Sequence, residues 1–164
     1  MSNAPNDLEK LRELVKANDV VMLTTVDAHG LLEARPMSVE DFDAHGRLWF
    51  FTEYQSPKAD QLDADPRALV TLSGKNHVSI QGTAKVVRDP SRQRELWNKA
   101  AQAWLQSEPE DPKVGLVIVQ ATGAQYWETS GVAAGLRVQL RDRRNPERYR
   151  RRANAVGPDS RAGY

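Results

Sequence analysis

A turn signal that occurs twice constrains this chain more than any other feature. Asp27-Ala28-His29-Gly30 and Asp43-Ala44-His45-Gly46 each follow one β-rich apolar run and precede another. A connection this short can reverse a strand. It cannot carry the chain across a sheet to run parallel, which takes a dozen residues or more. Residues 20–26, 31–39 and 47–52 therefore read as three strands of an antiparallel meander. Downstream, residues 68–72 and 77–87 flank a third turn, Ser73-Gly74-Lys75-Asn76. In the second of these runs Val78, Ile80, Gly82, Ala84 and Val86 alternate with Ser79, Gln81, Thr83 and Lys85, so one face is apolar and the other polar. Residues 114–128 supply one or two final strands. Gly131 and Gly135 then break the pattern, and no closing strand is evident beyond them.

Helix signals punctuate these strands. Asp7 reads as the cap of a helix over 7–17, with Leu8, Leu11, Leu14 and Val15 on one face. Ser56-Pro57-Lys58 opens a short helix, serine at the cap and proline in the first turn, and Asp65-Pro66 closes it. Asp89-Pro90-Ser91 caps a longer helix that ends near Ser107. The expected fold is mainly β with flanking helices, a six-stranded antiparallel barrel whose closure removes exposed edges.

The 164 residues suit one domain, and 40% hydrophobic with 27% charged residues is a globular composition. The longest apolar runs, 20–23 and 116–119, are far too short to cross a bilayer. Residues 1–10 are polar and acidic, so no secretory signal is expected. The chain has no cysteine, which excludes disulfides, zinc–thiolate sites and thiol nucleophiles. A cytoplasmic location fits these features. Charge is unevenly divided: residues 1–135 carry a net of −5 and residues 136–164 a net of +6. Residues 135–152 hold eight arginines and one aromatic residue. Such a run suits nucleic acid or an anionic surface, or is a solvated tail; the last reading is adopted, with neither nucleic acid nor membrane as partner.

No G-x-S-x-G, Walker, G-x-G-x-x-G or H-E-x-x-H motif is present. His29, His45 and His77 sit at or beside turns and lack metal-ligand spacing. The informative stretch is 47–65. An aromatic strand ends in Thr52, and Ser56 and Lys58 follow at a helix start, where free N–H groups and the helix dipole favour an anion. A hydroxyl and an ammonium there suit phosphate. The other reading is a capping serine and a solvated lysine. Arg35 shares a strand face with Glu33 and Met37, and it can pair with Glu33 or bind phosphate.

Arg35-Pro36-Met37, then Trp49-Phe50-Phe51-Thr52, then Ser56-x-Lys58, then Leu62-x-x-x-Pro66-Arg67-Ala68, resembles the pyridoxamine 5′-phosphate oxidase-like superfamily of FMN-binding split barrels, and within it the general stress protein 26 group. The likeness covers about residues 7–129. It implies a flavin-binding split barrel over 1–135; the basic residues 136–164 read, from their charge, as a flexible tail. It also implies FMN, with FAD as a possible substitute, in the groove between two copies of the chain. Arg35, Ser56 and Lys58 would hold the flavin phosphate. The Pro36 and Met37 backbone, with Phe51 and Thr52, would line the isoalloxazine ring. His77 stands where the oxidases carry a flavin-contacting glutamine, or is a strand-edge histidine. Trp127 matches a flavin-reaching tryptophan, or is a core or interface residue. Glu40 stands where the oxidases have a lysine and would repel a phosphate. Arg137 follows Trp127 at the oxidase spacing, but with no closing strand behind it a true pyridoxamine phosphate oxidase is not expected. The implied function is flavin binding of the general stress type, with a flavin-dependent oxidoreduction of an unidentified small molecule. The alternative is a ligand-binding barrel for flavin, heme or deazaflavin without turnover. Trp49, Phe51 and Trp127 are more aromatic surface than one small core readily hides, which also points to a dimer.

Overall fold

The structure is a computed structural model that describes residues 4–16, 20–128 and 136–138. Its elements in chain order are α1 (Ala4–Lys16), β1 (Val20–Val26), β2 (Leu32–Ser38), β3 (Asp41–Phe42), β4 (Arg47–Glu53), α2 (Pro57–Ala64), β5 (Arg67–Ser73), β6 (Asn76–Val87), α3 (Pro90–Leu96), α4 (Lys99–Leu105), β7 (Val114–Glu128) and β8 (Leu136–Val138).

The twin turns reverse the chain as their sequence dictates. Asp27 Oδ1 accepts hydrogen bonds from the backbone N–H groups of His29 and Leu31, and Asp43 Oδ1 accepts from those of His45 and Arg47. Gly30 and Gly46 take the left-handed conformation, at φ +78° and +76°, that a Cβ disfavours. Every strand pairing is antiparallel, and the sheet order is β2-β1-β5-β6-β7-β4-β3, with β8 against β7. Seven strands thus form the curled path, not six. The extra one is β3, where Asp41 and Phe42 form a two-residue ladder with Trp49 and Leu48. A closing strand also exists: Leu136–Val138 pairs with the stretch from Ala124 to Tyr126 despite the glycines before it. The tail beyond Val138 lies outside the described residues.

β7 is long enough to pair with β4 from Val114 to Gln120 and with β6 from Leu116 to Glu128. A bulge at Gln81/Gly82 makes this possible. A Cβ on Gly82 would lie 2.2 Å from the Gln120 carbonyl oxygen, so only glycine fits there.

The concave face of the sheet holds the main core. Leu23, Leu48, Phe50, Val70, Ile80, Val117 and Val119 meet there with Leu11 and Val15 of α1 and Leu62 of α2. The α1 face is therefore the one its periodicity predicts. The helix itself begins at Ala4, so Asp7 lies in its first turn and is not its cap. Proline at position 5 explains the earlier start, because the first turn needs no N–H there.

A second cluster covers the opposite face at the β4–β7 end. Trp49, Phe51, Val114, Leu116 and Ile118 lie under Ala101, Leu96, Trp97 and Leu105 of the α3–α4 region. The single long helix expected between residues 90 and 107 is two helices. Trp97 leaves helical geometry at ψ 134°, its ring edge-on to Phe51 at 5.1 Å, and Asn98 caps α4 by accepting from Ala101 N–H at 2.9 Å. The break lets the helix pair fold over the sheet. No helix among the described residues is long and apolar enough to cross a membrane.

Candidate functional site

α2 crosses one mouth of the curled sheet, and the polar side chains collect there. The reason is strand parity. Leu48, Phe50 and Thr52 alternate onto the concave face of β4, as do Leu23 and Thr25 on β1, and Arg35 lies opposite Leu23 on β2. Near the mouth the apolar residues give way to Thr25 and Thr52, both 1% exposed. Ser56 caps α2, its hydroxyl accepting from Ala59 N–H at 3.4 Å. That fixes Lys58 in the first turn, where its Nζ donates to Thr52 Oγ1 at 3.1 Å. Arg35 donates to Thr25 Oγ1 at 2.8 Å and pairs with Glu33 at 3.4 Å.

Two residues that the sequence reading passed over complete the arrangement. Thr25 donates to Gln61 Oε1 at 3.3 Å, and Gln61 Nε2 donates to Glu33 Oε2 at 2.9 Å. Arg35, Thr25, Gln61 and Glu33 thus form a closed ring that holds the guanidinium in one orientation. Thr25 was legible from its parity with Leu23. Gln61 was legible only as the residue one turn beyond Lys58.

The two cations feel each other. Burial pushes the Lys58 ammonium below its ordinary value, and the charge of Arg35 pushes it the same way; Glu53 and Glu33 pull back. A site that holds two cations against desolvation and mutual repulsion is one that an anion would relieve.

The remaining expected residues fall in several places. Pro36 is exposed on β2, and Met37 is buried in the main core, so its side chain is not available to a ligand. Phe51 is also buried, its ring turned away from the concave face and held against Trp97. Only its backbone can line a site at the mouth. His77 and Trp127 stand directly opposite each other on β6 and β7, with His77 Nδ1 2.7 Å from Ser73 Oγ. They form a separate corner, and Trp127 is 40% exposed.

Two expectations need correction. Glu40 does not face the cations: its carboxylate accepts from Asn98 Nδ2 at 2.6 Å on the α4 side, and burial raises its pKa. Trp49 and Phe51 need no second chain to cover them. Trp49 lies beneath the guanidinium groups of Arg92 (4.8 Å) and Arg47 (5.3 Å), and its indole N–H donates to Asp43 at 3.0 Å. Only Trp127 of the three remains exposed. What the α3–α4 pair leaves uncovered is the outer face of β1 and β2, where Val20, Met22 and Leu32 are solvent-exposed.

At the start of α2 lies an open cavity of about 540 Å³ bordered by Tyr54, Ser56 and Asp60. Among the described residues no group of histidine and carboxylate side chains could hold a metal ion.

Comparison with known proteins places this architecture. The profile described as "Pyridoxamine 5′-phosphate oxidase like" matches residues 6–143. The chain is 29% identical over 132 residues to the protein bli-3 of Neurospora crassa, covering 73% of this chain and 63% of that one. A pyridoxine/pyridoxamine 5′-phosphate oxidase of Caulobacter vibrioides is 35% identical over 74 residues, covering 43% of this chain and 33% of the oxidase. The chain thus matches less than two thirds of the length of either relative. Among solved structures, the general stress FMN/FAD binding protein of Xanthomonas citri superposes with a TM-score of 0.65 at 30% identity, covering 82% of this chain and 99% of that one. A protein of Clostridium acetobutylicum related to general stress protein 26 superposes with a TM-score of 0.70 at 16% identity, covering 83% and 96%, a likeness of fold.

Proposed function

The chain belongs to the pyridoxamine 5′-phosphate oxidase-like family, and from that premise we propose that it binds a flavin phosphate, FMN in the first instance, at the mouth where α2 crosses the sheet. The observation that carries the reading is the convergence of Arg35 and Lys58. They come from different elements, are held by Thr25 and Thr52, and lie close enough that the charge of Arg35 helps to lower the Lys58 pKa. Arginine's fork and a helix-start ammonium are the groups that phosphate recognition uses. The relative from Xanthomonas citri, named for FMN/FAD binding, supports the same ligand class.

When bound, the isoalloxazine supplies the redox chemistry, since none of the described side chains provides it. The residues of this chain bind and orient. Thr25 and Gln61 hold Arg35, and Thr52 holds Lys58. The substrate of such a flavoprotein is a small molecule of unassigned class. Binding without turnover is the second reading, because the described residues include no recognisable proton-transfer pair beside the mouth. We further propose that a second copy covers the exposed face of Val20, Met22 and Leu32 and brings the His77–Trp127 corner toward the flavin.

The visible spectrum of purified protein, followed by titration with FMN and riboflavin, tests the proposal. A flavin spectrum and clearly tighter binding of FMN are expected. Equal dissociation constants for the two would overturn it.

A further inference from the structure

We propose that the cavity at the start of α2 is a nucleoside subsite, so that this chain accepts FAD with its adenosine half in that cavity; the proposal rests on the flavin-phosphate reading above. The cavity's volume, about 540 Å³, lies within the range of small-ligand sites. Its position relative to the cations is the first argument. Ser56 and Ala59 border the cavity, while Lys58 between them turns its ammonium to Thr52 at the mouth. The same first turn of α2 therefore serves both the cationic mouth and a cavity of different character.

The lining supplies the second argument. Its ionisable side chains are Asp60, Asp63 and the Tyr54 phenol, with no cation among them. The carboxylates of Asp60 and Asp63 offer acceptors to neutral groups that donate hydrogen bonds. The hydroxyls of a ribose and the exocyclic amine of adenine are such donors, and a carboxylate on ribose hydroxyls is a recurring pairing in dinucleotide sites. Tyr54 adds a flat surface. It is 37% exposed, and its ring and backbone pack against Gly115, where an added Cβ would come within 3.1 Å of the ring. Val86 contributes an apolar wall. An aromatic surface and an aliphatic wall suit a purine base. A cationic mouth next to a cavity that offers carboxylate acceptors, a flat ring and an apolar wall matches a nucleoside tethered through phosphate. FAD has that form, with its pyrophosphate between the two halves.

Fluorescence titrations of the full chain with FMN, FAD and riboflavin test this, using wild type, Tyr54→Ala and Ala59→Phe. Loss of one base-stacking surface should weaken FAD by about 5- to 150-fold and leave FMN within twofold. Ala59→Phe fills the cavity while keeping the backbone N–H that Ser56 caps, and should weaken FAD selectively without removing Tyr54 from its seat on Gly115. If FMN binds no tighter than riboflavin, the phosphate reading falls and the subsite with it. If FMN keeps its advantage but wild type does not bind FAD, or both variants change FAD and FMN alike, the subsite alone is overturned.

Discussion

Replacing Lys58 by methionine separates binding from stability at one side chain. The Lys58 side chain is half-buried, and its ammonium donates to Thr52 Oγ1 at 3.1 Å. If a flavin phosphate replaces or shares that contact, the interaction is charge-assisted and worth roughly 1.5–3 kcal/mol. At about 1.4 kcal/mol per tenfold, FMN affinity should drop about 10- to 150-fold. Riboflavin, with no phosphate, should be unaffected. Stability of the free chain should change little, because two effects oppose. The variant removes a desolvated charge that Arg35 repels, and it leaves the buried Thr52 hydroxyl without its partner. The pH dependence follows from the direction of the shift. Lys58 loses its proton more readily in the folded chain than at the ordinary lysine value of 10.5. FMN binding uses the protonated form, so wild-type affinity should fall as pH rises through the depressed value, before pH 10.5 is reached. Over the same window the unfolded chain binds more protons than the folded one, so the stability of the free chain should rise with pH. Lys58→Met should show neither trend. Fluorescence titrations across pH, with riboflavin to remove any contribution of the ring, measure the first; chemical denaturation measures the second. An FMN affinity within twofold of wild type, with unchanged circular dichroism, would refute the assignment of Lys58 to the phosphate.

Three further consequences, at Gly82, Glu40 and Asn98, are independent of the ligand. Gly82→Ala places a Cβ 2.2 Å from the Gln120 carbonyl oxygen, so the β6–β7 bulge must shift; a loss of about 2–4 kcal/mol is expected by urea denaturation, and a loss under 0.5 kcal/mol would disprove the close approach. Glu40→Gln tests a carboxyl whose pKa burial has raised above 4.5. The stability that goes with its protonated form is present below pH 4.5 and is lost as pH rises through the folded value, so the variant should be at least as stable as wild type at pH 7, and any advantage should vanish at pH 4. Asn98→Ala removes the cap of α4 and the bond to Glu40, and should lower stability by about 0.5–2 kcal/mol in thermal unfolding. Sedimentation equilibrium at micromolar concentration with saturating FMN should show a dimer that Leu32→Glu weakens; monomer alone would count decisively against the second copy.

Local patterning determined most of the elements. The Asp-Ala-His-Gly turns, the alternation of 78–86, the Ser56-Pro57 helix start and the Asp89 cap all rest on interactions within a few residues, and each is present in the structure. The motifs from Arg35 to Ala68 were enough to identify the family. Tertiary structure decided the rest. β3 is two residues long, too short for any periodicity, and exists because Trp49 and Leu48 offer a ladder beside it. Leu136–Val138 pairs because β7 presents an open edge, which no local signal announces. The break at Trp97 comes from a ring that meets Phe51 on another element. The same logic governs the site. Arg35 and Lys58 stood out as isolated cations, but Thr25, Thr52 and Gln61 could be tied to them only after β1, β2, β4 and α2 were brought to one mouth. Glu40 read as an obstacle because it stands where the oxidases have a lysine. The fold turned it to Asn98, since side-chain direction is set by the packing around a strand end and not by its distance along the chain.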